Sequence, residues 1–331
     1  MKRFYALAGL AVLLAALAAP ASAETTLRIS LQLPLKSHLG QNLVLFKDEI
    51  EKSSSGDIKV EIYDSAQLYK DKEVPQAVGS GAIEMGVASL TRFAGTIPAV
   101  DIFYVPFMFN SEDMVRKAVA PDSPVRGPID EAILGTGARA LWWQAYGGAI
   151  LLGKGDPIRT PDDMKGKKVR VFGKLLGNFV EAVGGAPTLI SGSEQFLAYQ
   201  RGTVDAGMTG VSGVKSRKLY QVMDSITVTN HADIEFVVLV NEGFWQKLTA
   251  GQRTLIEAAA RKAEVAVRDD MARIEAEAYE DAKANGMTII DLSPEEVEKW
   301  RAATAPVLDG YLAESGDLGA RLAKAAETLR Q

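Results

Sequence analysis

Cysteine is absent from all 331 residues, and histidine occurs only at His38 and His231. Without thiols there is no disulfide, no thiol nucleophile and no lipid-bearing cysteine, and two distant imidazoles do not make a zinc site. The chain also has no HExxH pair, no Walker loop, no nucleophile elbow and no GxGxxG turn after a strand. No recognised catalytic or cofactor-binding motif remains, so neither a cofactor nor a metal is expected. A basic excess is missing too, with 37 Lys and Arg against 42 Asp and Glu. That balance argues against nucleic acid and anionic lipid as partners. Past the N-terminus there is no second long apolar run, so nothing else reads as membrane-spanning.

The N-terminus itself is informative. Lys2 and Arg3 precede an apolar run over residues 4–19, and Ala21-Ser22-Ala23 follows before Glu24. A charged start, an Ala-rich stretch short of a spanning helix and an A-x-A site read as a secretory signal peptide, residues 1–23, cleaved after Ala23. Its loss leaves about 308 residues with a net charge near −7, expected in a periplasm. That length exceeds what one core usually holds, so two lobes are expected.

The stretch 165–209 organises the rest. Residues 167–172 alternate as a short strand with Arg170 facing opposite Val169 and Val171. Helical spacing over 175–183 stops at Gly184-Gly185, 188–190 is a second strand, 193–201 a helix ended by Gly202, and 203–208 a third strand. Strands alternating with helices at this spacing mean a parallel sheet, and ligands bind such sheets beyond the carboxyl ends of the strands. Arg170 and Thr209 fall at that edge.

Residues 26–88 repeat the same order: a strand at 26–33, a helix at 38–53, a strand at 58–63, a helix at 71–78 and a strand at 82–88. GAIEMGV at 81–87 and GTVDAGM at 202–208 align as Gly, small, β-branched, acid, apolar, Gly, apolar. Two similar lobes facing each other would enclose a cleft. Crossings between them are expected near Gly147-Gly148 and across 230–235. Residues 24–147 and 236–275 are assigned to the first lobe, 148–235 and 276–331 to the second. A capping box at Thr249 and Gln252 opens a helix expected to run to Asn285-Gly286, about 50 Å, long enough to span both lobes.

Arg170 is the sharpest candidate for binding, because a guanidinium between Val and Phe is costly to bury without a partner. The plainer alternatives are an internal salt bridge or a solvated strand face. Trp143 and Phe172 are candidate apolar walls, Gln144 and Thr209 candidate neutral donors at strand ends. Arg92, Glu73, His231 and Glu235 complete the set expected to face a ligand.

Several blocks in order carry a family resemblance: SSSGDIKVEIYDSAQL (53–68), AVGSGAIEMGVAS (77–89), VPFMF (105–109), TPDDMKGKKVRV (160–171), GTVDAGM (202–208) and TNHADIEFVVLVNEGFWQKL (229–248). Through them the chain resembles the extracytoplasmic solute-binding proteins of tripartite ATP-independent periplasmic (TRAP) transporters, of the dicarboxylate-binding type. The resemblance implies a two-lobed α/β periplasmic-binding fold, a ligand cleft between the lobes, a long helix spanning both and closure on an organic acid. It also implies delivery to integral membrane subunits, by a protein expected to be a monomer and not an enzyme. The family's signature Arg falls on Arg170 and is expected to pair with the ligand carboxylate. Met208-Thr209 stand where many relatives have Glu-Asn, which passes that contact to Thr209. Ala149 and Ile150 stand where the sialic-acid branch has a further Arg. This favours a smaller ligand: a sugar, keto, hydroxy or aromatic acid. The alternatives are a periplasmic ligand sensor or an exported enzyme acting on small acids.

Overall fold

The computed structural model describes residues 25–330, so the signal peptide expected over 1–23 lies outside the described residues. Two runs of strand, helix, strand, helix, strand build the two halves of one sheet. The first consists of β1 (Thr25–Ser30), α1 (His38–Ser53), β2 (Ile58–Tyr63), α2 (Val74–Gly79) and β3 (Met85–Ser89), with β1 parallel to β2 and β3. Two short helices, α3 (Glu112–Ala118) and α4 (Arg126–Leu134), and strand β4 (Ala138–Gly153) intervene. The pattern then recurs as β5 (Lys168–Val171), α5 (Lys174–Ala182), β6 (Ala186–Leu189), α6 (Gln195–Gln200) and β7 (Ala206–Gly210), with β5 parallel to β6 and β7. In both halves the helices bury an apolar stripe against the sheet; on α1 it is Leu39, Leu43, Phe46 and Ile50, at helical spacing.

The repeat gives the paired Gly-x-β-branched-acid motifs a physical meaning. Gly81 and Gly202 have φ of 78° and 65°, left-handed values that a side chain would strain. The acid that follows ties down the neighbouring strand. Glu84 accepts Arg28 Nε at 2.7 Å, and Asp205 accepts the Lys168 backbone N–H at 2.8 Å. A Cβ on Gly207 would fall 1.8 Å from Tyr199 Oη, so helix α6 can cross that strand only over glycine.

After β7 the chain forms α7 (Val211–Arg217), β8 (Ser225–Val228) and β9 (Asp233–Asn241). The sheet order is β2-β1-β3-β9-β4-β7-β5-β6, with β8 also on β4. Strand β4, 16 residues long, is the main link between the halves. From Ala138 to Gly148 it pairs with β9; from Ala149 to Gly153 it pairs with β7. The change of partner falls between Gly148 and Ala149, and Gly147 has φ 86°.

The long helix differs from expectation. Helix α8 (Glu242–Lys247) is followed by α9 (Ala250–Asp269), opened by the Thr249–Gln252 capping box, and then by a separate α10 (Met271–Ala284). The expected single helix is interrupted at Asp270. At this junction Arg116 Nη2 donates to the Arg268 carbonyl at 3.0 Å and Nη1 pairs with Asp269 at 2.7 Å. Helix α9 packs on α1 and β4, and α10 packs on α7, so the interrupted pair still passes along both halves.

Strand β10 (Thr288–Asp291) pairs with β8, and α11 (Pro294–Thr304) and α12 (Pro306–Thr328) close the chain. Trp300 Nε1 donates to Arg159 O at 3.0 Å in the second half, and Tyr311 Oη donates to Ala99 O at 3.0 Å in the first. The tail therefore bridges the halves. Among the described residues no helix is long and apolar enough to cross a membrane.

Candidate functional site

The two halves meet at the carboxyl ends of their parallel strands. Lys70 Nζ lies 2.8 Å from Glu194 across the gap, and the Leu175 N–H donates to Asp101 at 3.4 Å. A cavity of about 20 Å³ lies between them, lined by Gln32, Asp71, Tyr146, Arg170, Phe172, Thr209 and Arg217 among others.

Arg170 is 3 % exposed although its neighbours on β5 are apolar. Its Nε donates to Ile190 O at 3.0 Å, just past β6, and its Nη1 donates to Met208 O at 2.6 Å on β7. Both partners are neutral carbonyls, and no carboxylate pairs with it among the described residues. Phe172 covers the group, with its ring 5.2 Å from the guanidinium carbon. Burial, and then the nearby charges of Arg217 and Arg92, lower the Arg170 pKa to about 9. The side chain is thus a cation at neutral pH held in a dry place without a counter-ion. A buried charge of this kind costs several kcal/mol unless something pairs it. An incoming carboxylate would supply the missing partner, with Nη2 left to meet it.

Arg217 is the feature that sequence reading missed. All five of its N–H groups have neutral partners: Gly213 O, Gly192 O, Gln195 Oε1, Tyr146 Oη and Thr209 Oγ1, the last at 2.7 Å. No charge pattern announced it. It ends a seven-residue helix whose Gly-Val-Ser-Gly start lowers helix propensity, so the segment does not read as an element. Asp71 also lines the cavity, accepting the Ser89 N–H at 2.9 Å.

Of the residues expected at the site, Arg170, Phe172 and Thr209 line this cavity. Arg92 stands behind it with Nε on the Asp71 carboxylate, a fully buried pair. The others do not line it. Gln144 lies three residues before Gly147 and faces α1, its amide donating to Asn42 Oδ1 at 2.7 Å and to Leu39 O. Trp143 faces the other way and donates to Asp130 at 2.8 Å. Glu73 is exposed and accepts the Lys70 N–H at 2.9 Å, in the turn that leads into α2. His231 stacks on Phe179 at 4.4 Å, and burial lowers its pKa to about 3, so the ring is neutral. Glu235 fails through strand alternation: Ile234 and Phe236 face the cavity, so Glu235 faces the opposite side and forms a two-bond pair with Arg268 at 2.8 and 2.9 Å.

A larger groove of about 530 Å³ lies between α1, α7 and the α9–α10 junction. It is open, and its charges are solvated or paired, as in Lys215–Glu277 and Arg273–Glu277. It holds no desolvated charge in need of a partner, and we place the site at Arg170 for that reason.

The family model "Bacterial extracellular solute-binding protein, family 7" matches residues 29–315. A solute-binding protein of Verminephrobacter eiseniae is 30 % identical over 292 residues, covering 87 % of this chain and 85 % of that protein. The C4-dicarboxylate-binding periplasmic protein DctP of Rhodobacter capsulatus is 29 % identical over 309 residues, 92 % of each chain. Among solved structures, a TRAP periplasmic solute-binding protein from a Polaromonas species bound to D-erythronate superposes with a TM-score of 0.85 at 28 % identity, covering 92 % of this chain and 98 % of that one.

Proposed function

The chain belongs to family 7 of the bacterial extracellular solute-binding proteins, and from that premise we propose that it captures a small organic acid between its lobes, with the carboxylate on Arg170. It then delivers the acid to the membrane subunits of a TRAP transporter, working in the periplasm as a monomer and without chemical turnover. The observation that carries this reading is Arg170 itself: a guanidinium 3 % exposed, bonded only to carbonyls, at the edge of a cavity between two lobes. A carboxylate there forms charge-assisted hydrogen bonds and removes an unpaired buried charge. Two of the relatives named above point the same way, DctP of Rhodobacter capsulatus as a C4-dicarboxylate-binding protein and the Polaromonas protein bound to D-erythronate.

The lobes, divided at Gly147 on β4 and at residues 230–235, open and close about those crossings, and the α9–α10 junction at Asp270 adds a third place to bend. The contacts Lys70–Glu194 and Asp101–Leu175 form only when the lobes are together. A thermal-shift screen of organic acids identifies the ligand, since an acid at a hundred times its Kd stabilises by about 2.7 kcal/mol. With that acid at saturation, the radius of gyration from small-angle scattering falls. An unchanged radius contradicts hinge closure, and a catalytic turnover of the acid contradicts the binding role.

A further inference from the structure

We propose that Gln32 is a specificity-determining residue that accepts a hydrogen bond from a ligand hydroxyl, so that the acid bound here is a hydroxy acid. The inference rests on the carboxylate reading of Arg170 and adds a second contact point to it. Gln32 follows β1, lines the cavity from the first lobe and is 4 % exposed. Its Oε1 is buried and has no hydrogen-bond partner among the described residues. A buried acceptor is unfavourable while nothing donates to it.

Its place in the cavity is fixed by Gly192. A Cβ on that glycine would lie 3.0 Å from Gln32 Oε1 and 2.9 Å from Arg217 Nη1, so the two groups, from opposite lobes, are no more than about 6 Å apart. The amide oxygen therefore lies in the corner that Gly192 and Arg217 share. Any side chain at Gly192 would fill this corner.

Arg217 sets the polarity of the remaining groups. It donates to Thr209 Oγ1 at 2.7 Å and to Tyr146 Oη at 3.3 Å, so each hydroxyl already accepts and turns its own hydrogen elsewhere. Arg217 is a positioning residue in this arrangement. The cavity then offers donors at Arg170, Thr209 and Tyr146 and, at Gln32, a buried acceptor to which no group among the described residues donates. Asp71, the carboxylate on the lining, already has a donor on each oxygen, the Ser89 N–H and Arg92 Nε, whereas Gln32 Oε1 has none. A carboxylate or a keto oxygen only accepts, so it leaves Gln32 Oε1 unpaired. A hydroxyl both donates to Gln32 and accepts from Thr209 or Tyr146. Sites built around a ligand hydroxyl discriminate strongly against the analogue that lacks it, because the protein group is then left unpaired.

The test is calorimetric titration with acid pairs that differ by one hydroxyl: malate against succinate, lactate against propionate, and glycerate against 3-hydroxypropionate. In at least one pair the wild-type protein binds the more hydroxylated member ten-fold or more tightly. In Gln32→Met, which keeps the volume and removes the acceptor, that preference shrinks to about two-fold while binding of the less hydroxylated member is retained. Gln32 makes no hydrogen bond that the fold depends on, and the melting temperature of the free variant checks this. Equal wild-type affinity within every pair overturns the hydroxyl subsite and leaves the carboxylate reading standing. A preference that survives Gln32→Met overturns it as well. If none of the six acids binds the wild type, the hydroxyl subsite is overturned, while the carboxylate reading is decided separately by the thermal-shift screen.

Discussion

Arg170→Ala weakens binding of the cognate acid by a factor of roughly 30 to 4,000. This range follows from the cost of removing one partner of a desolvated charge pair, about 2–5 kcal/mol, at 1.4 kcal/mol per tenfold. The carboxylate would enter a closed space beside Phe172, lose its water and find no cation there. Arg170→Lys recovers part of the loss only, since one ammonium cannot hold Ile190 O, Met208 O and a ligand oxygen at fixed angles. Calorimetric titration of both variants, alongside melting curves without ligand, separates binding from stability. Truncation also frees two carbonyls, so a modest drop in melting temperature is expected for Arg170→Ala. If the folded Arg170→Ala protein keeps near wild-type affinity, Arg170 serves only to tie β6 to β7.

The second large effect concerns stability. Glu235→Ala lowers the stability of the free protein by about 3–5 kcal/mol, on the order of 10 °C in melting temperature, because it leaves Arg268 charged in a buried place. The Glu235 side chain is 1 % exposed and that of Arg268 is 11 % exposed. Burial works against the Arg268 charge, and the adjoining Glu235 carboxylate more than offsets it, holding its pKa above the ordinary value. Asp233 nearby is pushed well above the usual carboxylate range by burial and by Glu235. Replacing both members, as Glu235→Leu with Arg268→Met, returns much of the loss, since a buried pair exchanged for apolar groups of similar volume is close to neutral. Ligand affinity of the folded Glu235→Ala protein stays within about two-fold of wild type. A ligand-contacting Glu235 would give the reverse pattern, with stability kept and affinity lost.

The repeated βαβ order could be read from sequence because each lobe uses local signals: strand alternation, helix stripes, and glycines forced by positive φ at Gly81 and Gly202. Arg170 stood out for a related reason, a charge inside an apolar strand. What escaped depends on distant partners. The length of β4 is set by two different neighbours, β9 and β7, and neither is visible in residues 138–153 alone. At the break at Asp270 the Arg268 carbonyl meets Arg116, more than 150 positions away. Glu235 looked like a cleft residue because its position in the crossing was right, but the face of a strand follows from pairing and register. Gln144 failed similarly, being close to the crossing in sequence and covered by α1 in space. Gln32 and Arg217 gave no signal at all, since a polar residue after a strand and an Arg at a helix end are ordinary on any surface.

The central claim is that the carboxylate of the ligand sits on Arg170. A crystal structure of the mature protein, grown with the acid that raises its melting temperature most, tests it directly. The account predicts a carboxylate oxygen about 2.7–2.9 Å from the Arg170 guanidinium, between Phe172 and Thr209, with the lobes closed over it. An acid bound instead in the open groove lined by Lys36, Lys215 and Arg273, with no anion at Arg170, would contradict it.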